Sequence, residues 1–201
     1  MTRLIAAIAA PILFVAGQAL LPNLGRDVDT AFALMLEHRD QLIASRLLTT
    51  AGAFLLIASL SYLKELRGAK VGAMIAMVGT FFNAFSNGVQ GYAAWGATAP
   101  GLDHDASMQT LLHLEDGVVG LPVSYWSIPV FGIGLVVMAI GLLAKKAVPW
   151  WTPALLLLGV VASFPTAGLG PIVALAQAPL AAAVIILVRQ ALVVRRATVH
   201  A

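Results

Sequence analysis

Residues 71–95, VGAMIAMVGTFFNAFSNGVQGYAAW, decide how this chain is read. They carry no charge and outrun the ~20 mostly apolar residues that a bilayer-spanning helix needs. The apolar run is broken on one side only. Thr80, Asn83, Asn87, Gln90 and Gly91 recur at steps of three and four, which places them on one helical face. Gly68, Gly72, Ala76, Thr80, Ala84 and Gly88 follow at steps of four, a small-residue series of the kind that lets helices approach closely. A helix apolar on most sides, with one small and polar face, belongs in a bundle surrounded by lipid.

The rest of the chain agrees. It has 201 residues, 60% apolar and 10% charged, and a mean hydropathy of +0.93. Ordinary globular chains are roughly 45–50% apolar and about 25% charged. This composition excludes a soluble enzyme, a disordered tail and a nucleic-acid module, in spite of a pI of about 9.6. With no cysteine, disulfides, thiolate metal sites and Cys nucleophiles are excluded too. Six apolar segments emerge, at 4–21, 42–63, 71–95, 123–144, 151–164 and 171–194. The fifth is short, about 21 Å at ~1.5 Å per residue, and ends before Pro165. The first has signal-peptide features but is read as a retained span.

Charge sets the orientation. With both termini in the cytoplasm, Arg3, Lys64, Arg67, Lys70, Lys145, Lys146, Arg189, Arg195 and Arg196 fall inside. Only Arg26, Arg39 and Arg46 then fall outside, as the positive-inside rule requires. Trp150 and Trp151 mark the inner interface, and Trp95, Tyr125 and Trp126 the outer one. Two outer segments have amphipathic spacing. Residues 29–41, with Asp29 as N-cap candidate, carry Phe32, Met35 and Leu36 on one side and bend or continue into the second span. Residues 107–116, with Ser107 as cap candidate, carry Met108, Leu111 and Leu112. The expected fold is therefore all-α: a single domain, 1–201, forming an integral membrane bundle of six transmembrane helices with two short outer interfacial helices. Its expected place is the bacterial inner (plasma) membrane, as a multi-pass protein.

Polar groups inside hydrocarbon are costly, so each needs a partner or a purpose. Asn83 and Asn87 lie about 20 and 26 Å above Lys70, Gln18 about 22 Å above Arg3, and Gln177 about 18 Å above Arg189. Arg46 is one turn into the second span, and Tyr125 stands at the outer end of the fourth. Gln18, Arg46, Asn83, Asn87, Gln90, Tyr125 and Gln177 are thus candidate ligand-binding residues around an outward-facing polar cup. The same amides can instead pair across helices, contributing about 0.6 kcal/mol each on average, and Arg46 can reach the outer headgroups. Pro129 and Pro179 can kink their helices and widen the bundle, or only fit neighbours together. At the outer face, Glu37, Asp40, His113, Glu115 and Asp116 are candidates for acid–base catalysis. No spacing there is diagnostic of a metal or cofactor, and neither is expected.

The order of features resembles small bacterial multi-pass membrane proteins common in actinobacteria. It rests on the first span from Pro11 to Pro22, on Ser61-Tyr-Leu-Lys-Glu-Leu-Arg-Gly68 at the second inner turn, and on Lys145-Lys-Ala-Val-Pro-Trp-Trp151. Such proteins carry no assigned activity, so the resemblance brings no catalytic residues. Three functions follow from the residues. The first is binding of a lipophilic small molecule or lipid in the cup. The second is a membrane-embedded isomerase or cyclase acting on a lipidic or isoprenoid substrate. The third is an accessory subunit with a membrane-protein partner. Membrane lipids are expected around all three, and nucleic acid around none. A pump or channel is disfavoured, because no acid or lysine lies mid-span.

Overall fold

A computed structural model describes residues 2–24, 28–116, 120–166 and 169–199, with side chains for 5–24, 29–113, 126–166 and 169–195. The described residues form eight helices and no strand. In chain order these are α1 (Thr2–Leu20), α2 (Val28–Glu37), α3 (Arg39–Leu63), α4 (Lys70–Ala97), α5 (His104–Asp116), α6 (Gly120–Ala144), α7 (Trp151–Ser163) and α8 (Pro171–Val199). Three stretches, Arg39–Leu63, Trp126–Ala144 and Pro171–Arg195, are long and apolar enough to cross a membrane. Ile5–Leu20 and α7 are apolar but shorter. α4 is 28 residues long and carries its polar residues on one face.

The exposure pattern of α4 is the reverse of a helix in water. Val71, Met74, Val78, Phe81, Phe85, Val89 and Tyr92 face outward, while Gly72, Ala76, Gly79, Thr80, Asn87 and Gly91 are buried. Similar outward apolar side chains stand on α1 (Ile5, Ile12), α3 (Leu47, Phe54), α6 (Ile133, Ile140) and α8 (Ile172, Leu175). Such an apolar exterior suits hydrocarbon as the surrounding solvent.

Six helices, α1, α3, α4, α6, α7 and α8, close into a ring. α1 packs on α3, α3 on α4, α4 on α6, α6 on α7, α7 on α8, and α8 returns to α1. Close approach comes from small residues, which let two helix backbones meet at van der Waals distance. A Cβ at Gly72 or Gly79 would strike the backbone of Met138 or Phe131 on α6, and one at Gly134 would strike Ala76 on α4. Gly52 abuts the Phe14 backbone, and Gly159 abuts Leu180. The small-residue series therefore does not hold as a single face. A step of four advances about 400°, overshooting a full turn by ~40°. The series thus winds around the helix. Gly68 and Gly72 meet α6, whereas Gly88 looks toward Thr50 of α3 at ordinary contact distance. Gly79, outside the series, takes the place on α6.

Between α1 and α3 the contact is also polar. Ser45 Oγ donates to the Gly17 carbonyl at 2.7 Å, Ser59 Oγ to the Ala7 carbonyl at 2.6 Å, and Gln41 Nε2 to the Leu20 carbonyl at 2.9 Å. One end of the ring is solid. Leu56, Leu60, Leu63, Leu135, Met138, Leu142, Leu156, Val184 and Leu187 form one cluster there. Beside it α6 ends in a Schellman turn. Ala147 N–H bonds the Leu142 carbonyl at 3.1 Å and Lys146 N–H the Leu143 carbonyl at 3.0 Å. Lys146 takes the left-handed position, φ 48°, that glycine usually fills.

The two short helices sit at the other end. α2 stops at Glu37 and α3 starts at Arg39, so the amphipathic stretch is divided from the second span at His38. Asp29 lies inside the first turn of α2 and not at its cap. α5 begins at His104, earlier than expected, because Asp103 and not Ser107 caps it. The Asp103 carboxylate accepts from Ala106 N–H at 2.9 Å. Phe32 of α2 meets the His104 ring edge-on at 4.8 Å, and Met35 and Leu111 pack on Leu21, Leu42 and Ala94 at the ring's end.

Candidate functional site

Within the ring lies a cavity of about 260 Å³. Its position follows from the alternating direction of the helices. α1, α4 and α7 contribute their C-terminal halves, through Phe14 and Gln18, Asn83 to Gln90, and Val160 to Phe164. α3, α6 and α8 contribute their N-terminal halves, through Arg46, Ser127 to Gly132, and Val173 to Leu180. The hollow thus occupies the end of the bundle that carries α2 and α5, away from the solid Leu-rich end. Leu21 belongs both to its lining and to the apolar cluster beneath the short helices. Pro129 and Pro179 fall inside the lining stretches, where each lacks the N–H that would bond the preceding turn.

The polar part is built around Arg46. Its stem lies against Gly91, where a Cβ would sit 2.5 Å from Arg46 Cβ and 2.8 Å from Cγ. Gly91 is therefore the residue that lets a guanidinium enter between α3 and α4. Arg46 Nη1 donates to Asn87 Oδ1 at 2.6 Å. Asn87 Nδ2 in turn donates to Asn83 Oδ1 at 3.0 Å and to the Asn83 carbonyl at 2.9 Å. From the other walls, Gln18 and Gln177 face the same space. Neither amide has a hydrogen-bond partner among the described residues, and Gln177 Oε1 is buried without one. Phe14, Ile128, Phe131, Val160, Phe164 and Leu180 make the remaining wall apolar.

Six of the seven candidate ligand residues, Gln18, Arg46, Asn83, Asn87, Gln90 and Gln177, therefore border one cavity. The side chain of Tyr125 lies outside the described residues. Ser86, Ser127 and Ser163 also line the cavity and were not anticipated. Ser86 stands three residues from Asn83 and one turn from Gln90, so the polar face of α4 already pointed to it. Ser127, Phe131 and Phe164 had no such signal, because an apolar helix looks alike on every side.

The candidate acid–base residues do not gather there. Glu37, Asp40 and His113 are exposed and line no part of the cavity. The side chains of Glu115 and Asp116 lie outside the described residues. His104 faces Asp105 at 3.4 Å on the surface. Arg39 ties the two helix ends nearby, donating Nε–H to the Trp95 carbonyl at 3.1 Å with its guanidinium 4.3 Å over the Trp95 ring. Among the described residues no three His, Asp or Glu side chains converge to hold a metal ion. No family model, curated protein or solved structure matches the chain. The cavity's chemistry must therefore be argued from its own residues.

Proposed function

We propose that this chain is a multi-pass protein of the bacterial inner membrane that holds the polar end of a lipophilic small molecule or lipid in an outward-facing cup. The observation that carries this reading is the convergence of guanidinium and amide groups from α1, α3, α4 and α8 on one largely apolar cavity. Side chains serving only as glue would be expected to satisfy one another. Gln18 and Gln177 are satisfied by no described residue, and a bound molecule would supply what they lack. In the proposed topology the six ring helices lie in the bilayer, five of them crossing it fully, and both termini are cytoplasmic. The reversed exposure of α4 supports this, as does the grouping of Lys64, Arg67, Lys145 and Lys146 at the end opposite the cavity. α7, about 20 Å long at ~1.5 Å per residue, then spans only part of a ~30 Å core. The enzyme reading has less support, since Glu37, Asp40 and His113 stand apart from the cavity.

Native mass spectrometry of protein extracted gently from its own membrane, followed by organic extraction, tests the proposal. The expected result is a co-purifying small molecule whose occupancy falls when Asn83 and Asn87 are both replaced by Leu with the fold retained. Bare protein, or protein bound only to another polypeptide, would transfer the assignment to an accessory role.

A further inference from the structure

Resting on the reading that the cavity holds a ligand, we propose that the occupant is an amphiphile with an oxyanion head, a carboxylate or phosphate, seated on the Arg46–Asn87–Asn83 chain. Arg46 carries N–H donors and no acceptor atom of its own. A guanidinium only donates, so the 2.6 Å contact fixes the Asn87 oxygen, not its nitrogen, toward Arg46. Asn87 must then donate through Nδ2, and it does so to Asn83 Oδ1 at 3.0 Å. That uses the Asn83 oxygen and leaves the Asn83 side chain to present its NH₂. An amide's two ends are normally interchangeable, but a chain that starts on a pure donor sets the direction of each amide in it.

The α3–α4 wall therefore offers N–H groups and a positive charge to a space whose other walls are mainly apolar, with Phe14, Ile128, Phe131 and Phe164 beside the neutral polar groups of Gln18, Ser127, Ser163 and Gln177. In so apolar a surround such donors act more strongly than in water. Their natural complement is a negatively charged oxygen acceptor. Gln18 and Gln177, with no described partner to hold them, can turn their own NH₂ groups to the same head. Volume limits the occupant. At about 260 Å³ the cavity is small beside a long-chain lipid. It admits a head and a few carbons, so a longer tail must leave between helices into the lipid.

Titration of the purified protein with decanoate, decyl phosphate, decanol and decyltrimethylammonium in a non-ionic detergent tests this. One or both anions should bind at least tenfold more tightly than decanol, and the better of the two identifies the head. Asn83→Asp keeps the shape and the acceptor for Asn87 but replaces the NH₂ with a carboxylate oxygen. It should weaken the anions at least tenfold more than it weakens decanol, and Arg46→Gln should do the same if it folds. Tightest binding by decyltrimethylammonium, or an Asn83→Asp protein that binds the anions as well as the parent, would overturn the oxyanion head while leaving a ligand cavity in place. Failure of every probe, decanol included, would overturn the ligand-binding reading beneath it.

Discussion

Gly132 and Gly134 stand two residues apart on α6, and alanine at each asks a different question of the packing. Helix propensity favours both changes equally, by about 1 kcal/mol, so their comparison cancels that effect. At Gly132 the new methyl would meet only the Phe164 ring at 3.6 Å and Val160 Cγ1 at 3.7 Å, ordinary contacts beside the cavity. At Gly134 it would fall on the backbone of Ala76, 2.6 Å from Cα and 2.9 Å from Cβ. Backbone cannot rotate aside as a side chain can. Restoring van der Waals separation, about 4 Å between carbons, requires α4 and α6 to part by roughly 1 Å. Overpacking of this kind costs about 1–3 kcal/mol. The expected order is thus Gly132→Ala at or slightly above the parent and Gly134→Ala below it, the two differing by about 1–3 kcal/mol. Reversible unfolding in one detergent, by denaturant titration followed by circular dichroism, measures the difference. Agreement between the two variants within ~0.5 kcal/mol would refute the backbone contact between α4 and α6.

Other expectations are as specific. Lys146→Gly should stabilise the fold by up to about 1 kcal/mol, because the left-handed position of the Schellman turn costs a Cβ-bearing residue what glycine is spared, and a thermal melt checks it. Thr152 is fully buried with Oγ1 unpartnered, so Thr152→Val should raise stability by about 1 kcal/mol in the same melt. Gly91→Ala should lower occupancy of the extracted ligand several-fold without removing any polar group, by pushing the Arg46 stem and drawing the guanidinium off Asn87. Unchanged occupancy in native mass spectrometry would count against Arg46 as part of the seat.

The sequence by itself determined an all-helical chain with an apolar exterior, and it located the helices to within a few residues of where they lie. Apolar length, prolines and charge at the turns act locally, so they can be read locally. It also marked Gln18, Asn83, Asn87 and Gln177 and gave their height along each helix, since a polar side chain in an apolar run is conspicuous and rise per residue is constant. Details of the ends were less legible. Asp103 and not Ser107 caps α5, because a cap is recognised by the N–H it accepts and not by the apolar strip that follows. What only the tertiary structure decided is azimuth: which face of each helix meets which neighbour. Packing split the small-residue series between α6 and α3, brought Ser127, Phe131 and Phe164 to the cavity wall, and assigned Ser59 to the α1 carbonyls. Those choices depend on how closely two backbones can approach at Gly72, Gly79 and Gly134, and on the room Gly91 leaves for the Arg46 stem. That is a property of helix pairs, and no single helix carries it.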